Sequence, residues 1–143
     1  MTAPQGVATD QVGNVWVANQ GNSSVSKFDP QGNALSPAAG FTAGGINAPK
    51  ALAIDQNGLV WVANTGNSTI TALASSGTLG TAYTGNGLNA PNSIAIDATG
   101  NVYVANPPGN SISAFTPTGT PVAGSPYTGS SIVSPGSIAI GPK

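Results

Sequence analysis

The sequence predicts an all-β protein made of three tandem units of four strands each, followed by one further strand. Three observations predict it. A block of more than twenty residues recurs three times, each copy holds short apolar runs separated by Gly, Asn and Pro, and no stretch carries the 3.6-residue periodicity of a helix. Hydrophobic residues make up 39% of the chain and the net charge is only −1, so we expect a folded core rather than disorder.

The repeat is aligned on a proline that begins each unit. Pro4, Pro49, Pro91 and Pro135 are 45, 42 and 44 residues apart. The three full copies read GVATDQVGNVWVANQGNSSVSKF, ALAIDQNGLVWVANTGNSTITAL and SIAIDATGNVYVANPPGNSISAF, and SIAIGPK repeats only the first strand. We therefore expect one repeat domain, residues 1–143, with units at 3–47, 48–89 and 90–133 and an extra first strand within 134–143.

Each unit contains four predicted strands, lettered A to D in chain order. An Asp-x-x-Gly turn joins A to B, because Asp accepts backbone N–H bonds and Gly tolerates a positive φ. The predicted bounds are 6–10, 51–55 and 93–97 for A; 15–18, 59–63 and 102–105 for B; 24–28, 69–73 and 111–115 for C; and a weaker D within 34–44, 78–84 and 121–128.

The side chains of these strands indicate how the units pack. Strand A alternates large residues with alanine, and strand B carries Val on one face and Trp16, Trp61 or Tyr103 on the other, so both strands are apolar on both faces. Strand D contains prolines, which a sheet tolerates at its edge. The order A to D therefore runs from buried to exposed, which predicts four-stranded antiparallel β-propeller blades stacked face to face.

The repeated pattern resembles a known family. The pattern runs apolar-Ala-apolar-Asp, then Gly-Asn, Val-Trp/Tyr-Val-Ala-Asn and Gly-Asn-Ser. It is similar to the NHL repeat, in the Gly/Asn/Ser-rich variety of bacterial secreted propellers, over essentially the whole chain. Family members usually have six blades, so the resemblance implies that three blades are completed by self-association. The chain departs from the family pattern at two positions of each unit, with Asn for Asp at 19, 64 and 106 and Ser or Thr for Arg at 24, 69 and 111.

The composition argues against several classes of function. Charged residues are 5% of the chain, against about 25% in an ordinary soluble domain, and Arg, Glu, His and Cys are absent. Three scattered lysines give no basic stripe for nucleic acid, and no apolar run is long enough to span a membrane. Propeller lyases and lactonases that resemble this chain use His, Glu and a metal. We therefore expect no enzyme activity, no metal and no cofactor, and the uncharged polar surface predicts an extracellular or cell-surface protein.

The recurring carboxylates are Asp10, Asp55 and Asp97. Their Asp-x-x-Gly context predicts a role in turn formation. A calcium site at 55–58 is the alternative, but calcium requires about six to eight oxygen ligands and several carboxylates. The aromatic residue at 16, 61 and 103 is predicted to lie in the core, with a stacking platform as its alternative.

The loops between strands B and C form the candidate binding site. They share one face of the propeller with the D–A loops, and a ring of amides there would bind a carbohydrate or a peptide through hydrogen bonds. The alternative is that each Asn caps its own turn. The candidate residues are Asn19, Asn22, Asn64, Asn67, Asn106 and Asn110.

Two functions from different classes stay open at this point. The chain is a non-catalytic structural or binding module that self-assembles, or it is an inactive fragment of a larger lyase- or lactonase-type propeller. For the first we expect a homodimer of six blades or an open head-to-tail array. In either, the last strand is expected to dock beside Val15–Val17 of another copy, with residues 1–9 shifted to a different pairing.

Overall fold

The computed structural model describes residues 2–141, and the regular structure in that range is almost entirely β. No helix in this part of the chain is long and apolar enough to cross a membrane. One turn of 3-10 helix spans Gln20–Asn22. The strands are β1 (Pro4–Thr9), β2 (Val15–Asn19), β3 (Ser24–Phe28), β4 (Pro49–Ile54), β5 (Val60–Asn64), β6 (Thr69–Leu73), β7 (Gly80–Tyr83), β8 (Ser93–Ile96), β9 (Val102–Asn106), β10 (Ser111–Phe115) and β11 (Tyr127–Thr128).

The strands form three antiparallel sheets in meander order, which we call blade 1 (β1–β3), blade 2 (β4–β7) and blade 3 (β8–β11). Blade 1 has three strands where four were predicted. Its fourth strand is reduced to two isolated bridges, Val25 to Phe41 and Phe28 to Ala34. Pro37 lies between those bridges and has no N–H, and a turn closes there when Gly40 donates to the Pro37 carbonyl. A regular ladder is therefore interrupted.

All three blades pair their first two strands in the same register. Val7 lies opposite Val17, Leu52 opposite Val62, and Ile94 opposite Val104. Since side chains alternate between the faces of a strand, each blade presents the same two surfaces. We call the side that carries Trp16, Trp61 or Tyr103 the aromatic face. The opposite side, which carries two valines of the second strand, is the valine face.

The blades stack with the aromatic face of one on the valine face of the next. Trp16 and Val25 of blade 1 pack in one cluster with Leu52, Val62 and Leu73 of blade 2. The second cluster repeats this contact between Trp61 and Ile70 of blade 2 and Ile94, Val104 and Phe115 of blade 3. Both tryptophans are fully buried, as predicted for core residues, whereas Tyr103, for which the same was predicted, is half-buried. The stacking is head-to-tail, so each blade offers the next one the same contact.

The two ends of the stack are uncovered. Val7, on the valine face of blade 1, is 67% exposed, whereas its counterparts Leu52 and Ile94 are 7% and 8% exposed. Ile112, on the aromatic face of blade 3, is only half-buried, although its counterpart Ile70 is fully buried. Each end therefore presents an apolar surface that is covered everywhere else in the structure.

Residues 134–141 form no regular strand within the single chain, and residues 142–143 of the predicted segment lie outside the described residues. The extra strand at 134–143, which is expected to dock on another copy, stays a prediction. The segment nevertheless lies against blade 3. The Ser134 N–H donates to Asn110 Oδ1 at 2.8 Å, and the Ile138 N–H donates to Ser93 Oγ at 3.1 Å. A first strand obtains its ladder from a second strand, and no second strand pairs with residues 134–141 in the described structure.

The predicted shift of the N-terminal residues is also absent from the single chain. β1 pairs with β2 from Pro4 opposite Asn19 to Thr9 opposite Val15. The position beside Val15–Val17 is therefore occupied by the chain's own first strand.

The Asp-x-x-Gly turns take the predicted form. Gly13, Gly58 and Gly100 each donate their N–H to the carbonyl of the Asp three residues earlier, and each has a positive φ between 80° and 87°. A side chain is strained at such a φ because the Cβ crowds the backbone.

We expect Gly58→Val to lower the free energy of unfolding by about 1 kcal/mol or more. A Cβ at this position would meet only the Ser75 Cβ, at 4.0 Å, so the effect isolates the backbone conformation. Urea unfolding measures it. Gly129→Val is the control, because Gly129 lies in open space and has no positive φ. Equal unfolding midpoints for the two variants would contradict the turn assignment.

Candidate functional site

The recurring Asp of each blade is held in a clamp at the turn between the first two strands. In blade 2, Asp55 Oδ1 accepts the N–H groups of Asn57 and Leu59 at 2.8 and 3.0 Å. Its other oxygen accepts the indole N–H of Trp61 at 3.2 Å. Asp55 is only 4% exposed. One carboxylate thus closes the turn and also fixes the largest side chain of the blade.

The same clamp recurs in the other two blades. Asp10 Oδ2 accepts from Trp16 Nε1 at 3.1 Å, and Asp97 Oδ2 accepts from the Tyr103 hydroxyl at 3.3 Å. The turn role of these carboxylates was predicted, but their bond to the aromatic residue was not. The signal in the sequence is that Trp or Tyr always stands six residues after the Asp.

The clamp leaves little carboxylate free for a cation. In residues 2–141 no group of three or more His, Cys, Asp or Glu side chains is close enough to hold a metal ion. Burial raises the pKa of Asp97, but hydrogen bonds from Thr99 and Asn101 outweigh that effect and hold the pKa well below its ordinary value. Burial and hydrogen bonds, from Asn14 and Trp16, act in the same way on Asp10, whose pKa is also lowered.

Two clefts open on the turn side, each between neighbouring blades. The larger, about 310 Å³, lies between blades 1 and 2, and the smaller, about 100 Å³, between blades 2 and 3. Glutamines tie the turns across them, because Gln11 Nε2 donates to the Gln56 carbonyl at 3.2 Å and Gln56 Nε2 donates to the Ala98 carbonyl at 2.8 Å. These side chains thus serve blade packing.

The one lysine in the larger cleft is also engaged. Lys27 Nζ donates to the Ser75 carbonyl at 3.1 Å, lies 4.0 Å from an Asp10 carboxylate oxygen, and sits 4.6 Å from the centre of the Trp16 ring. The two charged residues that line this cleft, Lys27 and Asp10, therefore already have partners within the protein.

Three of the six candidate asparagines are fully buried: Asn19, Asn64 and Asn106. Asn64 shows what they do. Its Nδ2 donates to Thr69 Oγ1 and Thr71 Oγ1 at 3.0 and 2.9 Å, and its Oδ1 accepts the N–H of Asn47 at 3.2 Å. The amide thus ties strands β5 and β6 to the linker that enters the blade.

The other three candidates, Asn22, Asn67 and Asn110, are exposed. Asn22 and Asn67 occupy equivalent positions and donate to the carbonyls of Ala39 and Gly45 at 3.3 and 3.2 Å. Asn110 lies one position further along the repeat, where the other two blades have Ser23 and Ser68. All three residues have a left-handed φ, of 46°, 52° and 54° respectively. The structure therefore does not bring the six together as one amide surface, and ligand binding by the exposed three stays a prediction.

The lowered pKa of Asp97 predicts how stability depends on pH. The folded-state pKa lies below that of the unfolded chain, so the carboxylate stabilises the fold above about pH 4 and loses that effect as the pH falls further. We expect Asp97→Asn to be less stable than the parent chain near neutral pH and to approach it under acid conditions. Urea unfolding across the acid range measures this, and a difference that is constant with pH would contradict it.

Comparison with known proteins identifies the fold. No protein-family model and no curated protein matches the sequence. Among solved structures, a virginiamycin B lyase from Staphylococcus aureus matches with a TM-score of 0.68 and 23% identity over 83% of this chain. A streptogramin B lyase matches at 0.69 and 20% over 85%, and a nidogen/laminin complex at 0.64 and 19% over 80%.

These likenesses establish a β-propeller fold and nothing more specific, because the identities are low. The chain spans 40% of each lyase chain and 43% of the chain matched in the nidogen/laminin complex. The three sheets of this protein are thus an arc of a propeller, which agrees with the predicted all-β blade architecture.

Proposed function

We propose that this chain is a non-catalytic wall segment of a β-propeller, of the NHL-repeat kind, that serves as a structural or binding module. One observation carries the proposal. The polar groups that recur in every blade, the Asp of the turn and the buried Asn, are bonded inside the blade, whereas the two apolar end faces are uncovered. Such a unit is suited to joining further blades.

The composition supports the absence of catalysis. A catalytically inactive variant of the Staphylococcus aureus lyase, in which alanine replaces a histidine, has been solved with quinupristin. This chain contains no histidine and no glutamate. It therefore has no imidazole for proton transfer, and its turn carboxylates already accept two or more hydrogen bonds each.

Two further properties belong to this proposal. The uncovered end faces favour a homo-oligomer, with a six-bladed ring as the simplest closed form. The exposed amides of Asn22, Asn67 and Asn110 are the groups that would hydrogen-bond a carbohydrate or a peptide, and the weakly charged polar surface favours a place outside the cell.

A second candidate function follows from the comparisons. The chain is a segment of a propeller lyase whose catalytic groups lie in other blades. Three of the matched structures are lyases, one of them the inactive variant, and the chain spans 40% of each. Under this alternative the present blades supply only part of the wall of the active site.

An assay with quinupristin tests the proposal. We expect the 143-residue chain to leave quinupristin unchanged, because it holds no histidine for proton transfer. Liquid chromatography with mass spectrometry measures the remaining compound, and the Staphylococcus aureus lyase serves as the positive control under the same conditions. Turnover by this chain above the buffer blank would overturn the non-catalytic proposal.

A further inference from the structure

Blade 1 contains a buried hydrogen-bond acceptor that lacks the donor its counterparts have. Asn64 Oδ1 accepts the N–H of Asn47, and Asn106 Oδ1 accepts the N–H of Asn89. Asn19 is equally buried, at 0% exposure, yet its Oδ1 has no donor among residues 2–141. A buried polar atom without a partner destabilises a fold, because it has given up its hydrogen bonds to water and gained none in return.

The missing donor belongs to a defined position of the repeat. Asn47 and Asn89 stand two residues before the proline that begins their blades, as Thr2 does before Pro4 and Val133 before Pro135. Asn19 Oδ1 accepts no bond from the Thr2 N–H, so blade 1 has the linker residue but lacks its hydrogen bond. The next residue also repeats, because Ala3, Ala48, Ala90 and Ser134 all have a left-handed φ between 43° and 47°.

The anchoring of this linker to the preceding blade is repeated as well. Ala48 and Ala90 donate their N–H groups to Ser23 Oγ and Ser68 Oγ, both at 3.0 Å, as Ser134 donates to Asn110 Oδ1. Residues 133–140 are therefore arranged as the entry to a further blade.

The uncovered faces require the same neighbour. The aromatic face of blade 2 packs on the valine face of blade 3. The aromatic face of blade 3, with half-buried Tyr103 and Ile112, would pack on a valine face in the same way. The free valine face of this chain is that of blade 1. Continuing the established stacking thus places blade 1 of a second copy on blade 3 of the first.

We infer that residues 133–140 of one copy complete blade 1 of a second copy, pairing with β2 in place of β1 while the two end faces stack. This inference rests on the proposed structural function. The Val133 N–H then meets the orphaned Asn19 Oδ1. Ile138 and Ile140 take the positions of Val7 and Thr9, which replaces a valine and a hydroxyl-bearing side chain with two larger apolar ones. Two such contacts close a two-fold pair.

The register of this contact follows from the other blades. Leu52 faces Val62 and Ile94 faces Val104, so Ile138 of one copy is expected opposite Val17 of the other. Within one chain, these two residues lie at opposite ends of the arc. Cα atoms that face each other in an antiparallel pair are about 4.5–5.5 Å apart, which suits a disulfide.

A double variant, Val17→Cys with Ile138→Cys, tests the inference. The chain has no cysteine of its own. We expect mild oxidation to convert most of this variant to a covalent dimer on a non-reducing gel. Val12→Cys with Ile138→Cys is the control for random encounters, because Val12 is 75% exposed and lies in a turn. It is expected to remain largely monomeric.

Two further variants distinguish the specific contact from nonspecific association of apolar surfaces. Val7→Cys with Val17→Cys should close within one chain, because these residues already face each other, and thus hold β1 in place and leave a monomer. Ile112→Lys, added to the first pair, should lower the dimer yield several-fold, whereas Leu79→Lys, on an exposed site away from both end faces, should not.

A first pair that stays monomeric, or a dimer yield no higher than that of the Val12 control, would overturn the inference. Either result would leave the non-catalytic proposal standing, because the quinupristin assay tests that proposal separately.

Discussion

The stacking of an aromatic face on a valine face is the contact on which the rest of the structure depends. It is made twice, and each time a fully buried tryptophan lies against branched aliphatic side chains of the next blade. Burial of each large apolar side chain contributes about 1.5–3 kcal/mol, whereas ion pairs have little to offer in a chain with seven charged residues. A single blade would expose both of its apolar faces to water, so the stability of each blade comes from packing against its neighbours.

Hydrogen bonds at the two ends of the second strand hold the stacked side chains and the incoming linker in place. At one end the Asp of the turn holds the indole of Trp61 in position, and at the other the buried Asn64 binds the incoming linker. Both groups are hydrogen-bonded in the blade interior, which satisfies the requirement that buried polar atoms find partners. The residues that are most regular in the repeat are consequently those least available to a ligand.

Features set by local sequence were predictable. The third strands, Ser24–Phe28, Thr69–Leu73 and Ser111–Phe115, have the bounds that their alternation predicts, and the Asp-x-x-Gly turns follow from side chains within five residues. The burial of Asn64 was not predictable in this way, because it depends on a linker 17 residues away passing over it. The loss of regular pairing after Pro37 and in 134–141 likewise depends on which partner strands are present.

We infer that the stacking contact continues between copies until no apolar end face is left uncovered. Sedimentation equilibrium of the unaltered chain over a wide range of protein concentration tests it most directly. We expect one species of about twice the 13.8 kDa chain mass whose size does not grow with concentration, since a two-fold pair is closed. A particle of 13.8 kDa throughout that range would contradict it.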